Sequence, residues 1–436
     1  MTPLRLGLFA AAALGLAACG PKPIDPHRQI GANPFLPAMH QFLMPPMRVP
    51  KITPWGSATP TVAPGLQIKA LASDLKGPRS LYVLPNGDIL VVESDGPKPP
   101  APSRPKDFVM GWVEKRAHSP EPAGNRIVLL RDADGDGVPE LRTVFIDHLT
   151  HPFGVVLVGS DLYVANTDAV VRFPYQTGET HIAAPGVKLT DLAGGPIDHH
   201  WTKSLTASPD GTKLYAGVGS NSNITENGIQ AEVGRAAVWE IDRATGAHRE
   251  YATGLRNPNG LQFEPQTHVL WVVVNERDEL GPDLVPDYLT SVKDGAFYGW
   301  PYSYYGQHVD PRVKPQRPDL VKTAIPPDYA LSSHVAPLGM TFYTGSNLPA
   351  AYQGGAFVGE HGSWDRPALN GYRVVYVPFS NGRPSGMARD VVTGFVSPNG
   401  KTVRGRPVGL AVDAKGGLLI ADDAGGVVWR VTAAGR

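Results

Sequence analysis

Two adjacent histidines, His199 and His200, are well suited to proton transfer, because imidazole titrates near neutral pH. They precede a segment that predicts two strands, at 204–207 and 213–218, joined by the turn Ser208-Pro209-Asp210-Gly211. In such a turn the proline presets φ and the glycine supplies a positive φ. Catalytic side chains are commonly carried on loops that a rigid scaffold positions. The sequence therefore predicts that both histidines lie on a loop entering a β-sheet.

A second candidate site is acidic. Asp132, Asp134 and Asp136 stand at alternate positions beside glycines, and Glu140 follows them. Calcium takes six to eight oxygen ligands, and this spacing directs several carboxylates toward one centre. We expect a structural calcium loop, with an ion-free polar hairpin as the alternative. The chain has no HExxH, CxxC or CxxCH motif, so spacing alone predicts neither a histidine-held catalytic metal nor covalent haem.

The elements that position these residues recur along the chain. Six stretches share a Pro-X-Gly or similar turn, an apolar strand, a polar turn and a second apolar strand. They begin near Gly77, His151, His200, Asn257, Ala336 and Arg406. Such recurrence is typical of a β-propeller in which each repeat supplies one blade of about four strands. The sequence predicts an all-β fold, a six-bladed β-propeller over residues 65–436.

The N-terminal region predicts export. Residues 1–18 have the form of a signal peptide, and the segment that ends at Cys19 resembles a bacterial lipobox. We expect lipidation of Cys19 and a Pro-rich tether over residues 19–64; an ordinary export signal is the alternative. Because Gly20 rather than an aspartate follows, the expected location is periplasmic, lipid-anchored in the outer membrane. No internal disulfide is expected, because Cys19 is the only cysteine.

The overall charge says little about partners. The chain has 40 basic and 40 acidic side chains, which gives a formal net charge of zero. Nothing in this balance indicates a basic surface for nucleic acid or for an anionic membrane. We therefore expect no nucleic-acid partner and membrane contact through the lipid anchor only.

Several motifs occur together and in order after the tether. They are HHWTKSLTASPDGTKLYAGVGSNSN, GLRNPNGL, DELGPD followed by YGWP, GEHGSWDR, and RGRPVGLAVD with LLIADD. In these motifs the chain resembles the sorbosone-dehydrogenase branch of the soluble sugar dehydrogenases that use pyrroloquinoline quinone (PQQ). The resemblance covers essentially the whole chain after the tether. It implies a six-bladed propeller with PQQ and calcium over its central face.

The resemblance also assigns roles to individual residues. His200 matches the general base that takes the substrate hydroxyl proton, whereas His199 is open between a structural and a catalytic role. Arg256 and Asn257 match a pair at the quinone, where a guanidinium can stabilise developing negative charge; an Arg-Asn cap is the alternative. Gly281-Pro282 matches the pair whose backbone carbonyls hold the calcium.

PQQ carries three carboxylates, so its site should present several cations. Arg404 and Arg406 match the family's Arg-X-Arg, and Arg366 is a further candidate cation where related enzymes use lysine. Trp364 and His361 are expected on the same rim; the alternative is a set of surface arginines. The sequence at 151–154 is His-Pro-Phe-Gly, where glucose-type relatives place a glutamine contact. The resemblance to the glucose enzymes therefore does not assign the substrate.

These observations predict an exported PQQ- and calcium-dependent dehydrogenase of an aldose or sugar aldehyde. The sugar or sugar aldehyde would be oxidised, and electrons would pass to an external acceptor such as a cytochrome c or a quinone. Two alternatives stay open, a calcium-dependent propeller lactonase and a non-catalytic binding propeller. Propeller architecture alone does not choose among them, because function belongs to the site.

Overall fold

A computed structural model describes residues 24–42, 46–98, 123–195 and 198–435. The signal peptide and Cys19 lie outside these residues. The segment before the first blade contributes four strands: β1 (Ile30–Gly31), β2 (Lys51–Ile52), β3 (Thr61–Val62) and β4 (Leu66–Ala72). Short helices occur at Pro26–Gln29, Ile229–Glu232, Pro318–Val321 and Ala350–Tyr352. Within the described part of the chain, no helix is long and apolar enough to cross a membrane.

Six antiparallel sheets follow in chain order, which confirms the predicted six-bladed propeller. Blade 1 has β5 (Pro78–Val83), β6 (Ile89–Glu93), β7 (Arg126–Arg131) and β8 (Leu141–Ile146). Blade 2 has β9 (Gly154–Val158), β10 (Asp161–Ala165), β11 (Ala169–Pro174) and β12 (Val187–Asp191). Blade 3 has β13 (Leu205–Ala207), β14 (Lys213–Val218), β15 (Ala237–Asp242) and β16 (His248–Thr253).

Blades 4 and 5 carry insertions. Blade 4 has β17 (Pro258–Phe263), β18 (Leu270–Val274), β19 (Pro286–Ser291) and β22 (Tyr329–Ser333), with the hairpin β20 (Ser303–Tyr304) and β21 (His308–Val309) inserted. Blade 5 has β23 (Pro337–Phe342), β24 (Ala356–Glu360), β25 (Arg373–Val377) and β28 (Arg389–Thr393), with β26 (Phe379–Ser380) and β27 (Arg383–Pro384) inserted. The short strand β29 (Thr402–Val403) precedes blade 6, which has β30 (Pro407–Val412), β31 (Leu418–Asp422) and β32 (Val427–Ala433).

The N-terminal segment closes and extends the propeller. Strand β4 pairs antiparallel with β32 and so forms the outer edge of blade 6. Strand β1 pairs with β22 at the edge of blade 4, and β3 pairs with β28 at the edge of blade 5. Strand β2 runs parallel to β29. Much of the segment predicted as a tether therefore lies along the blades, while the predicted boundary at residue 65 stays a prediction.

The hydrophobic core lies between neighbouring blades. Six clusters of buried apolar side chains each join two consecutive blades around the ring, including blades 6 and 1. The second strands β6, β18, β24 and β31 are buried at every position, since both of their faces are covered. This explains why these strands are continuous apolar runs rather than alternating ones.

Strand direction decides which loops meet. The inner strands β5, β9, β13, β17, β23 and β30 contact one another around the axis. Because each blade repeats the same antiparallel order, all inner strands begin, and all second strands end, at one face of the propeller. We call this the central face. It carries the loops before the inner strands and the loops after the second strands.

Candidate active site

His200 lies on the central face, on the loop before β13. Its Nδ1 is 2.9 Å from the carbonyl oxygen of Ser220, and since a carbonyl can only accept, Nδ1 carries the proton and donates. Nε2 is therefore left as the acceptor. Burial, then the nearby Arg256 charge, then His199, hold the pKa of His200 well below its usual value. A neutral imidazole with a free ring nitrogen can act as a general base.

A buried ion cluster holds the histidine loop from behind. Asp198 accepts from Lys203 at 3.4 Å and from Arg235 at 2.7 Å, and these side chains are at most 4% exposed. The Lys203 amino group also donates to the carbonyl oxygens of His200 and Trp201, at 3.3 and 3.1 Å. Burial lowers the pKa of Lys203 to about 8. Lys203 thus fixes the backbone on which His200 stands.

Arg256 and Asn257 come to the same place from blade 4. The Arg256 guanidinium donates to the Glu276 carbonyl at 2.6 Å and pairs with Asp278 at 3.3 Å. Asn257 is 5% exposed, and its Oδ1 is buried without a hydrogen-bond partner among the described residues. Gly219 packs against this amide: a Cβ at Gly219 would lie 2.5 Å from Asn257 Oδ1 and would also collide with His200. Only glycine lets blades 3 and 4 approach so closely here.

Asp278, His334 and Asp365 adjoin Arg256. His334 Nδ1 is 3.3 Å from an Asp278 oxygen, and Nε2 is 3.1 Å from the Gly281 carbonyl oxygen. Burial opposes charge on His334, but Asp278 and the other nearby carboxylates raise its pKa to about 9. The pKa of Asp278 is lowered to about 2 despite burial, because His334 and Arg256 face it. Burial raises the pKa of Asp365 to about 7.

Arg406 and His361 lie across the face, in blades 6 and 5. Arg406 donates to the carbonyl oxygens of His361 and Gly362, at 3.0 and 2.9 Å. Asp423 pairs with His361 at 3.0 Å and with Arg79 of blade 1 at 2.9 Å. Burial and the Arg406 charge lower the pKa of His361 to about 4. A network of opposite charges therefore links three blades.

The remaining predicted cations are placed differently. Arg404 is partly exposed, and its guanidinium makes no hydrogen bond or ion pair with the described residues. Arg366 is 3% exposed and donates to Asp283 at 2.8 Å and to the Pro282 carbonyl at 2.6 Å. Arg366 is therefore already paired inside the protein. The carbonyl oxygens of Gly281 and Pro282, which were predicted to hold calcium, face side-chain nitrogens of His334 and Arg366. Trp364 lies nearby, where its carbonyl accepts from the Arg48 amide.

The acidic loop lies at the other end of the propeller from this site. It joins β7 to β8, and since β7 runs away from the central face, the loop lies at the opposite face. The four carboxylates, those of Asp132, Asp134, Asp136 and Glu140, offer oxygens within 4.8 Å of one another. Each also accepts a backbone amide of the loop, at 2.6 to 3.0 Å. The predicted calcium group is thus assembled, and its occupancy stays a prediction.

Comparison with known proteins identifies the family. The model of the TrAA12-like family matches residues 124–286 and 315–434, well over half of the chain. The chain belongs to the TrAA12-like family. This TrAA12-like chain is 30% identical over 234 residues to an uncharacterized protein of Borreliella burgdorferi, covering 53% of the chain and 60% of that relative's length. The match thus leaves two fifths of that relative uncovered.

Two solved structures share the fold of the TrAA12-like chain. The holo form of the pyranose dehydrogenase PQQ domain from Coprinopsis cinerea has a TM-score of 0.67 at 20% identity, covering 86% of this chain and 97% of that one. The calcium structure of a Trichoderma reesei Carbohydrate-Active Enzymes Family AA12 protein has a TM-score of 0.68 at 20% identity, with the same coverage. At these identities the likeness establishes the propeller fold.

Sequence reasoning missed several residues of the central face. Arg79, His334, Asp365 and Asp423 were not assigned a role, and Asp278 was passed over in favour of Gly281 within DELGPD. A positional signal was available, because these residues lie within or just before an inner strand or after a second strand, as do the assigned ones. That signal becomes usable only when the strand directions of all six repeats are compared.

Proposed function

We propose that the chain is a PQQ- and divalent cation-dependent dehydrogenase that oxidises an aldose or sugar aldehyde, sorbosone-like in class. The observation that carries the proposal is the state of His200. Its Nδ1–H is fixed on the Ser220 carbonyl, and its Nε2 is left as a neutral acceptor beside Arg256. The fold shared with a pyranose dehydrogenase PQQ domain supports the assignment.

The residues present fit PQQ in part. Asn257 Oδ1 is buried and has no partner within the described ranges, and Arg404 has a guanidinium available for an anion. Arg406 would add a second cation, with its orientation fixed by two backbone carbonyls. Arg366 does not fit this role, because Asp283 and the Pro282 carbonyl already hold it. We therefore assign the cofactor carboxylates to Arg404 and Arg406.

The chain's own residues would carry the proton transfer. When bound, PQQ supplies a hydride acceptor. His200 takes the proton of the substrate hydroxyl at Nε2, while the Ser220 carbonyl holds Nδ1–H and keeps the tautomer. Arg256 lies where a fixed positive charge can stabilise negative charge as it develops. Lys203 keeps the His200 backbone in place from the interior. Electrons would leave to an external acceptor such as a cytochrome c or a quinone.

The second candidate is a divalent cation-dependent lactonase. The observation that favours it is the group of Asp278, Asp365 and His334, since a hydrolase of this kind would gather carboxylates around its metal. The free base at His200 and the cations Arg404 and Arg406 favour the dehydrogenase. The two activities can be distinguished experimentally, because only the dehydrogenase reduces an electron acceptor.

Reconstitution tests the proposal. The purified chain receives PQQ and calcium, a panel of aldoses and sugar aldehydes, and an artificial dye as acceptor. We expect dye bleaching that requires both PQQ and sugar. Lactone hydrolysis without PQQ, and no bleaching with any sugar, would replace the proposal by the lactonase.

We also propose that Cys19 anchors the protein by lipid in the periplasm, at the outer membrane. Two acyl chains give stable anchoring where one does not. A Cys19→Ser variant should be found in the soluble fraction or remain unprocessed. Membrane fractionation and processing identical to the wild type would remove the lipoprotein assignment and leave the enzymatic one intact.

A further inference from the structure

We infer that the rim of the central face at blades 3 and 4 docks on the lipid bilayer that holds the acyl chains of Cys19. The inference rests on the lipid anchor proposed above and is independent of PQQ chemistry. It goes beyond the anchor, because it assigns a protein surface to the membrane and gives the propeller an orientation there.

The chain is fixed to the central face from Ile24 onward. The Ile24 amide donates to a carboxylate oxygen of Asp283 at 3.1 Å. The side chain of Gln29 is fully buried, where it donates to the Asp283 carbonyl oxygen and accepts from Ser333 Oγ at 3.1 Å. Asp283 lies on the loop after β18, and Ser333 is the last residue of β22, so both are at the central face. The segment predicted as a tether is therefore attached to the propeller close to its beginning.

The chain between the anchor and this fixed point is short. Only residues 20–23 separate Cys19 from Ile24, and the connection spans at most about 18 Å when fully extended. The strands of blade 4 have five or six residues, which span roughly 17–20 Å before any loop is added. A connection that starts at the central face therefore cannot reach a bilayer beyond the opposite face. The bilayer must border the central face or the outer edge of blade 4.

Exposed apolar side chains favour the central face. Phe35 and Met39 of the N-terminal segment are 43% and 40% exposed. Ile229 and Val233, on the loop after β14, are 47% and 70% exposed. The Arg28 guanidinium lies 4.4 Å over the Phe35 ring. Apolar side chains combined with arginine are typical of segments that lie in a membrane interface.

The N-terminal segment holds its exposed side chains in place. Leu36 packs against an apolar cluster that contains Leu280, and the His40 amide donates to the Leu280 carbonyl oxygen at 2.9 Å. Phe35 and Met39 directly precede these two attached residues. A surface that is ordered in advance loses little conformational freedom when it binds. Because a short connection also gives a high effective concentration, weak apolar contacts are enough to set the orientation.

The test uses the full lipidated chain in phospholipid vesicles whose headgroups carry a fluorescence quencher, without PQQ or sugar. Since Cys19 is the only cysteine and is acylated, one introduced thiol can carry the fluorophore. Gln230→Cys places it on the central face, and the matched control Val138→Cys places it on the acidic loop; both positions are exposed. We expect several-fold stronger quenching at position 230. Equal quenching, or stronger quenching at position 138, in protein that sediments with the vesicles would overturn the inference.

A longer connection separates the effect of the anchor from that of the surface. About twenty Gly/Ser residues inserted after Lys22 extend the reach to roughly 80–90 Å, so the propeller is free to turn. Quenching at position 230 should persist in this chain and should fall to the level of position 138 when Phe35→Ser and Val233→Ser are added. Val269→Ser, at an exposed valine in the turn between β17 and β18, is the control and should change nothing.

Two results would contradict the inference in different ways. Loss of the preference for position 230 in the long-linker chain with an intact rim would show that the rim does not dock. A wild-type chain that stays in solution would remove the anchor proposal and the inference with it. Because PQQ is absent, neither result bears on the dehydrogenase proposal.

Discussion

The two sides of the central face contain similar residues that differ in their hydrogen-bond and ion-pair partners. On the side of blades 3 and 4, neither Nε2 of His200 nor the amide oxygen of Asn257 has a hydrogen-bond partner in the part of the chain that the structure describes. On the side of blades 5, 6 and 1, His361 and Arg406 are held by Asp423 and by backbone carbonyls. Both histidines have a lowered pKa, but they differ in the partner of the ring: His200 donates Nδ1–H to a backbone carbonyl, whereas Nε2 of His361 faces the Asp423 carboxylate.

This difference suits one side to proton transfer and the other to binding an anionic cofactor. A base must exchange its proton with a substrate, so its reactive atom cannot be bound within the protein. A cation that recognises an anion benefits from a fixed orientation, because less freedom is lost on binding. Under the proposed function, the His200 side would carry proton transfer and the Arg406 side would hold the cofactor.

The largest effect is expected for His200→Ala. A general base contributes ~10²–10⁴-fold to rate, so turnover at saturating PQQ should fall by that factor while PQQ still binds. Added imidazole should restore part of the rate. Steady-state kinetics and PQQ titration measure the two quantities separately. His199→Ala, the paired variant, should lose much less.

A different outcome would reassign the two sides. If His200→Ala lost PQQ binding and recovered full turnover at high PQQ, His200 would be a cofactor ligand, and His199 would be the next candidate base. Normal activity in both variants would remove the mechanism.

Arg406→Ala should behave in the opposite way. Losing a charge-assisted contact of about 1.5–3 kcal/mol predicts roughly ten- to hundredfold more PQQ for half-reconstitution, with substantial turnover once saturated. The control is Arg389→Ala, an exposed arginine of blade 5 that stacks on Tyr352 and Tyr376 away from this network. A loss of turnover that PQQ does not restore would place Arg406 on the chemical side.

The pH dependence of kcat/KM tests the state of His200 itself. The base is active when neutral, and its pKa lies well below 6.5 in the folded chain. The acid limb of the profile should therefore fall well below pH 6.5. Arg256→Met removes one cause of the lowering, so its acid limb should move upward, whatever the change in rate. An unmoved limb would mean that another group titrates.

The smallest effect on the central face is expected for Asp134→Ala. The acidic loop lies at the opposite face, so PQQ affinity should stay unchanged. Calcium should raise the Tm of the wild type more than that of the variant, because an ion bound only to the folded state stabilises it by mass action. Loss of PQQ affinity with an unchanged Tm would contradict the structural assignment of the loop.

Much of the fold could be predicted from local patterns. The six repeat starts fall within three residues of the first residue of an inner strand at His151, Gly77, Asn257, Ala336 and Arg406, and five residues before it at His200. The turn at 208–211 forms as predicted, with Gly211 at φ +69° and Asp210 accepting the Thr212 amide. These features depend on residues close in sequence, where turn chemistry and apolar runs act directly.

The site residues that lie in a local sequence motif could be predicted. The pairs of side chains that come from distant repeats could not. The amino-acid sequence by itself determined the blades, the position of His200 before β13 and the carboxylate spacing of the acidic loop. Only the tertiary structure decided that Arg366 forms an ion pair with Asp283 and that His334 lies beside Asp278 and Asp365. The physical reason is that ring closure brings together loop ends from different blades, and burial there fixes which charges are paired and which stay free.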